Sequence, residues 1–481
     1  MVTSDVDSAY IQSEISSIRL KGFDDIHLLL LAGDAAYSVD LSAWKRSLSG
    51  AGRLVLVLAL SDFRFLQADA AFPSRQGFLV LEPDAVAHVL TSHSPQDQLK
   101  VFARKRLSPF RLNPFQITTV PPANMFFGRQ HELAMLSDSY DSSFALAGPG
   151  RIGKSSILRH FQAALRRDDP LRYGRTFYID FYTCEDTSES GICQFLATRI
   201  NDTKRAREMT SRAQLEGFLR FERRQRQGPL ELLLDEVDRV CGDLVFETLG
   251  ELVKGGGAGS SQESQICRVI LGGKATLFEF LNEATKVWCQ RIRRVPLSPL
   301  GARDSSDLLL QPLRDLGFRV PEEQKLEDLV FEDTNGFPHL IQFYGSCLVD
   351  RAIKAGSDVI DQATFDDVRN DFETAQMFAN PVLSIGDETS EWIALALIHS
   401  PQHSFTEMDI HHIAAKEGLR MDEKQVAKVC RRLYISNVLL WNGDRYSIAT
   451  RALSRYARKL GYLHGRLLEL RKPRKTGSQG H

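Results

Sequence analysis

The run Gly148-Pro149-Gly150-Arg151-Ile152-Gly153-Lys154-Ser155-Ser156 places glycines, a lysine and hydroxyls at a spacing suited to polyphosphate. Gly148, Gly150 and Gly153 let the backbone curl until several N–H groups point inward. A helix opening just after the loop adds its positive N-terminal end. At this spacing Lys154 can reach the terminal phosphates and Ser155 can ligate Mg²⁺. Four fixed positions arise by chance in roughly one chain in fifty of this length, so context decides. An apolar run, Phe144–Ala147, precedes the loop, and an amphipathic stretch, Ser156–Leu165, follows it.

A second group complements the first. Leu232-Leu233-Leu234 runs into Asp235-Glu236. A buried strand that ends in a carboxylate at the carboxyl edge of a parallel sheet brings that carboxylate beside the phosphate loop. Asp235 is then the expected Mg²⁺ carboxylate, and Glu236 the general base that polarises an attacking water. Lys154 and Glu236 are the residues expected to act on the reaction. A strand followed by a solvated acidic pair reads the same in isolation; the upstream loop favours the metal-binding reading. Asp238 reads as a surface or capping residue.

These side chains need a scaffold. Residues 125–300 alternate apolar runs (Phe144–Ala147, Thr176–Phe181, Leu230–Leu234, Arg268–Leu271) with helical stretches, which predicts an α/β fold with a doubly wound parallel sheet. Gly255–Ser264 reads as a surface loop. Residues 301–380 carry helical patterns (Ser305–Leu316, Glu322–Phe331, His339–Ala355) and read as a helical lid. Residues 388–461 predict a winged helix: helices Thr389–His399, Thr406–Glu417 and Glu423–Ser436, then Val438–Trp441 and Arg445–Ile448 around the turn signal Asn442-Gly443. Residues 1–115 form a small α/β domain of unassigned role, with a helix at Ala9–Leu20 and buried strands at Ile26–Ala32, Leu54–Leu60 and Phe78–Leu81. A Pro-containing linker covers 116–124, and a basic tail covers 466–481.

Composition bounds the alternatives. The chain has 481 residues, a formal net charge of −1 and 43% hydrophobic residues, which fits a globular protein of several domains. Any nucleic-acid surface must be local, because the bulk charge is near zero. Cysteines at 184, 193, 241, 267, 289, 347 and 430 form no CxxC pair, which argues against a zinc site and for a reducing, cytoplasmic setting. The chain shows no signal peptide, and its longest apolar runs fall short of the ~20 residues of a membrane span.

The motifs also carry a resemblance. Phe126-Phe127-Gly128-Arg129-Gln130-His131-Glu132-Leu133 is similar to the F-x-GR-x-x-E-L element of STAND ATPases and archaeal-type AAA+ ATPases. Gly148–Ser156 resembles their phosphate loop, Leu230–Glu236 their Walker B strand, and Gly336-Phe337-Pro338 the GxP element of the STAND lid. The match covers about residues 125–460. It implies that Gly128 and Arg129 border the adenine and ribose of ATP or ADP and that Pro338 marks the nucleotide-sensing lid edge. It places a sensor after Arg268–Leu271, where Lys274 is the candidate. Two departures stand out: there are no superstructure-forming repeats, and residues 1–115 match no death-fold or TIR unit. Arg291, Arg293 and Arg294 read as a solvated basic cluster and not as an arginine finger.

The resemblance implies an ATP- and Mg²⁺-dependent switch that couples nucleotide state to homo-oligomeric assembly or to an unidentified protein partner, in signalling or defence. The rival is a DNA-handling AAA+ ATPase of the origin-recognition or loader type, although that family usually carries a GD-x-R element where this chain has Gly336-Phe337-Pro338. In the rival, the helix Glu423–Ser436 would bind duplex DNA through Lys424, Lys428, Arg431 and Arg432, which fall at spacings of three and four. Arg445, Arg451 and Arg455 would add backbone contacts. The alternative for this module is docking on the ATPase core as a lock.

Overall fold

The computed structural model describes residues 25–31, 38–39, 53–60, 64–65, 78–106, 125–139, 142–240, 266–283, 287–383 and 387–450, with scattered positions in 113–121, at 250 and 385, and between 452 and 470. The expected helix Ala9–Leu20, the loop Gly255–Ser264 and the tail beyond residue 470 lie outside the described residues. Of the expected tail 466–481, Leu467–Leu470 are helical and Leu467 is buried. Described residues of Met1–Met125 group with Arg303–Val330 and Ile341–Asp371 in one compact unit. Those of Phe126–Ala302, Phe331–Leu340 and Phe372–His481 form a second.

In the first unit, strands β1 (Asp25–Leu31), β3 (Arg53–Ala59) and β5 (Phe78–Leu81) form a parallel sheet in the order β1-β3-β5, and β2 (Ser38–Val39) pairs with β4 (Arg64–Phe65). Leu79, Val80 and Leu81 are buried in succession, as a parallel strand covered on both faces requires. Helices Pro83–Thr91 and Pro95–Arg106 follow, and Val86, Leu99 and Ala103 complete this core. The segment 301–380 is dominated by helices, Ala302–Asp315, Glu323–Thr334, Pro338–Lys354, Gln362–Arg369 and Phe372–Leu383, the first three of which contribute residues to both units.

The second unit is built on five parallel strands: β6 (Ser143–Ala147), β7 (Thr176–Asp180), β8 (Leu230–Asp235), β9 (Cys267–Gly273) and β10 (Ile292–Pro296), in the order β10-β6-β9-β8-β7. Every residue of β6, β8 and β9 is buried. Leu230, Leu232 and Leu234 face a core shared with helices Glu189–Ile200, Arg212–Gln225 and Ala275–Glu283. Leu233 between them is buried as well, so both sheet faces are covered. Glu231, buried in β8 away from its carboxyl end, accepts bonds from Arg172 (3.1 Å to each oxygen), from Thr176 (3.0 Å) and from Arg268. Burial is tolerable there because the carboxylate is fully paired.

Strand β10 was not expected. Its sequence Ile-Arg-Arg-Val-Pro lacks an apolar run because it lies at the sheet edge, where Arg293 and Arg294 are exposed. The basic cluster is therefore the surface of an edge strand, and Arg294 donates to the carbonyl of Leu281 at 2.7 Å.

Toward the C-terminus, helices Glu388–His399, Glu407–Lys416 and Glu423–Ile435 precede β12 (Leu439–Trp441) and β13 (Tyr446–Ile448); β11 (Ser404–Phe405) joins them in an antiparallel sheet of order β11-β13-β12. The last two helices open with capping boxes on Thr406 and Asp422. Gly443, at φ 106°, makes the turn between β12 and β13. Among the described residues no helix is long and apolar enough to cross a membrane.

Candidate nucleotide-binding site

The loop 148–153 joins the fully buried β6 to helix Lys154–Asp168. Gly153 (φ 106°) and Arg151 (φ 66°) take left-handed backbone conformations that turn the chain back over the helix end. A Cβ at Gly148 would lie 3.1 Å from Ile152 Cγ2 and 3.3 Å from the Leu297 carbonyl, so a larger residue would push on both neighbours. Ile157, Leu158, Phe161 and Leu165 bury one face of the helix, which fixes its N-terminus against the sheet. Lys154 is 4% exposed, and its Nζ donates to the carbonyls of Gly148 (3.0 Å) and Pro149 (2.8 Å). Burial lowers its pKa, against the pull of Glu236, Asp235 and Asp238. Gly150, Ser155 and Ser156 are half-buried, and Ile152 is fully buried.

The acidic residues approach from β8. Strand β9 lies between β6 and β8, so Asp235 is one strand further from the loop than direct adjacency would place it. Gly272 and Gly273 at the end of β9 make the approach possible. A Cβ on Gly272 would stand 2.8 Å from Asp235 Oδ1, and one on Gly273 would stand 2.9 Å from Asp238 Oδ2. Asp235 is 1% exposed; its Oδ1 accepts the Glu236 N–H (3.0 Å) and its Oδ2 the Tyr178 hydroxyl (2.7 Å). Glu236 takes φ 52°, unusual for a residue with a Cβ. Burial raises its pKa, with Lys154 opposing and Asp235 reinforcing the shift. Asp238 is a capping residue: it accepts the Lys274 backbone N–H and the Thr276 hydroxyl at the start of helix Ala275–Glu283. Lys274 is half-buried, and its charge acts on both Lys154 and Glu236.

Two further contacts brace the loop. Gly128 (φ 69°) and Arg129 (φ 67°) make a left-handed turn before helix Gln130–Asp138. The buried Arg129 guanidinium donates to Glu132 (3.0 Å), to the Ile152 carbonyl in the phosphate loop (3.3 Å) and to the Ser298 carbonyl (2.6 Å). Before helix Pro338–Lys354, Gly336 has φ 75°, and a Cβ there would fall 2.0 Å from the Leu300 carbonyl oxygen. Only glycine fits. Pro338 opens helix Pro338–Lys354, and the next residue, buried His339, places Nε2 2.6 Å from Arg151 Nη1. Arginine must donate in that pair, so Nε2 is the acceptor. Burial, then the Arg151 charge, pulls the His339 pKa down to about 3.

The candidate DNA residues divide. Lys424, Lys428 and Arg431 are exposed on helix Glu423–Ile435. Arg432 turns inward and pairs with Glu279 on helix Ala275–Glu283 and with Asp387 (2.7 Å). Ile435 enters the core of the five-stranded sheet. At ~100° per residue Arg431 returns to within ~20° of Lys424, whereas Arg432 lies ~80° away. Arg445 bonds Ser404 (2.6 and 3.0 Å), and Arg455 pairs with the fully buried Asp333 (2.9 Å). Arg451 lies outside the described residues.

The cradle around Gly148, the buried ammonium and the buried carboxylate suit a magnesium nucleotide. Sequence reasoning missed Tyr178, His339 and the Arg129 brace, because each acts through a partner distant in the chain.

No family model matches the sequence, and no curated protein sequence matches it. Among solved structures it is similar to a Walker-type ATPase of Pyrococcus abyssi: 17% identity over 72% of this chain and 99% of that one, with a TM-score of 0.53. Looser likenesses are to Cdc6p from Pyrobaculum aerophilum (18% identity, 74% and 98% covered, TM-score 0.41) and to the ORC2 protein of Aeropyrum pernix (14%, 75% and 98%, 0.41). At these identities the likeness is one of fold: a parallel α/β sheet flanked by helices.

Proposed function

We propose that the chain binds and hydrolyses ATP and uses the state of the nucleotide to switch its own conformation. The observation that supports this most is the convergence of Lys154, Asp235 and Glu236 at the carboxyl ends of β6 and β8. Lys154 exchanges its two carbonyl acceptors for phosphate oxygens. The loop N–H groups and the helix end hold the same anion. Mg²⁺, which Ser155 and Asp235 would hold, supplies charge neutralisation on the polyphosphate when bound. Glu236, a stronger base than an exposed glutamate, accepts the proton of the attacking water.

Two contacts suit the switch. Arg151 and His339 join the phosphate loop to the lid edge at Gly336–Pro338. Arg432 and Glu279 join the C-terminal module, read as a winged helix, to the helix that follows Lys274. A ligand moves such an equilibrium only by differential affinity; going from 1:99 to 99:1 takes about 5.5 kcal/mol. The site therefore needs contacts to the terminal phosphate that only one state makes, and Lys154 with Arg151 is placed to make them. The switched state associates with itself or with a protein partner.

We expect Lys154→Ala to abolish ATP binding, measured with a fluorescent analogue, while Glu236→Gln keeps binding and lowers turnover by at least ~10²-fold. Unchanged affinity in Lys154→Ala would refute the phosphate-loop assignment. A second reading, a DNA-handling ATPase, is favoured by the exposed row Lys424, Lys428 and Arg431. It requires duplex-DNA affinity whose logarithm falls by about 0.9 per phosphate contact against log salt.

A further inference from the structure

Asp235 is the buried carboxylate of the site, and its two oxygens are held differently. Oδ1 accepts a backbone N–H from the next residue, Glu236 (3.0 Å). Oδ2 accepts a side-chain hydroxyl from Tyr178, on the neighbouring strand β7 (2.7 Å). A carboxylate offers about four lone-pair directions, so each oxygen keeps one free. With one oxygen held from its own chain and the other from the next strand, the carboxylate cannot rotate about its Cβ–Cγ bond without breaking a bond. A Cβ at Gly272 would stand 2.8 Å from Oδ1, so the glycine leaves open the space this carboxylate occupies.

Tyr178 is itself held. The Arg159 guanidinium stands over its ring at 4.3 Å from the centroid, and the Arg159 charge acts on the hydroxyl. Arg159 belongs to helix Lys154–Asp168, five residues after the phosphate-loop lysine. A chain Arg159–Tyr178–Asp235 thus runs from the helix behind the phosphate loop, across β7, to the end of β8. A cation facing the phenol strengthens the hydroxyl as a donor, and hydrogen bonds in series polarise one another.

We propose that Tyr178 is a positioning residue for Asp235, that Arg159 supports it, and that together they set the affinity of the site for a divalent cation. This rests on the reading of Asp235 as the carboxylate that holds Mg²⁺. In this role Tyr178 acts through the Asp235 carboxylate, to which its hydroxyl donates. Removing an outer partner of a metal-binding carboxylate costs about 10–100-fold in metal affinity.

The test uses the full chain and a readout other than turnover. The affinity for a fluorescent ADP analogue is measured in EDTA and then against rising free Mg²⁺, and the Mg²⁺ concentration giving half the gain is recorded. Tyr178→Phe keeps the ring and removes the hydroxyl; its midpoint should move about 10–100-fold higher, with affinity in EDTA within about twofold of wild type. Arg159→Met should move the midpoint the same way by a smaller factor. A Tyr178→Phe midpoint equal to wild type would overturn the proposal and leave the Mg²⁺ reading standing. Equal losses with and without Mg²⁺ would also overturn it, because the tyrosine would then support the fold and not the carboxylate. Wild-type affinity that ignores Mg²⁺ would overturn the reading of Asp235 itself.

Discussion

Glu236 occupies a left-handed backbone conformation, with φ 52°. Such strain costs about 1–3 kcal/mol and persists where the surrounding structure enforces it. Here the fully buried strand β8 enforces it on one side and the Asp238 cap on the other. The benefit is position, because the turn points the carboxylate toward Lys154. Burial also raises its pKa, and a raised pKa has a definite sign in the kinetics. The base works ionised, so turnover should fall on acidification, with a midpoint above the ordinary glutamate value of about 4.3. A pH–rate profile of kcat checks this. A midpoint at or below the ordinary value would mean that another group accepts the proton. At this scale the sequence was informative where chemistry demands a fixed residue type: the glycines and lysine of 148–154 and the pair Asp235-Glu236 could be read directly. Tyr178 could not, since a half-buried tyrosine on a strand looks like packing until Asp235 is seen opposite it.

Elements add what single residues lack. Four of the five strands in the ATPase sheet were legible as apolar runs, because central parallel strands are covered on both faces. Strand β10 was not, since an edge strand carries charge in place of an apolar run. Lys274 was legible as a sensor candidate, but the part played by Gly272 and Gly273 before it, clearance for Asp235 and Asp238, needs the strand order β6-β9-β8. Helix Glu423–Ile435 shows the same limit. Spacing put four basic residues on one side, yet only the structure separates outward Lys424 and Arg431 from inward Arg432. Arg432 is 11% exposed by side chain, and burial working against its charge is outweighed by Glu279 and Asp387, so its pKa rises. Hydrogen bonds to charged groups contribute about 1.5–3 kcal/mol. Arg432→Ala should therefore destabilise the protein by about 1–3 kcal/mol in denaturant unfolding. The double variant Arg432→Ala/Glu279→Ala should lose less than the sum of the singles. Strict additivity would mean that the two side chains do not meet in solution, and the lock between the C-terminal module and the ATPase core would lose its main contact.

For the whole molecule, the near-neutral net charge and the parallel sheet with its buried core agree with a nucleotide-driven machine and give no sign of bulk attraction to nucleic acid. The small parallel sheet of the first unit, β1-β3-β5, has no chemistry assigned to it. The nucleotide site and the C-terminal helices lie in the second unit, together with both contacts assigned to the switch, Arg151–His339 and Arg432–Glu279. One contact ties the loop to helix Pro338–Lys354 and the other ties a C-terminal helix to Ala275–Glu283, and on the proposed switch nucleotide state should alter assembly. The measurement is light scattering after size exclusion on the Glu236→Gln variant, with ADP and with ATP plus Mg²⁺, each with and without duplex DNA. A larger particle with ATP and Mg²⁺ alone is the expected result. A mass that is the same with both nucleotides, or that grows only when DNA is added, would contradict the self-associating switch, and the second outcome would favour the DNA-handling ATPase.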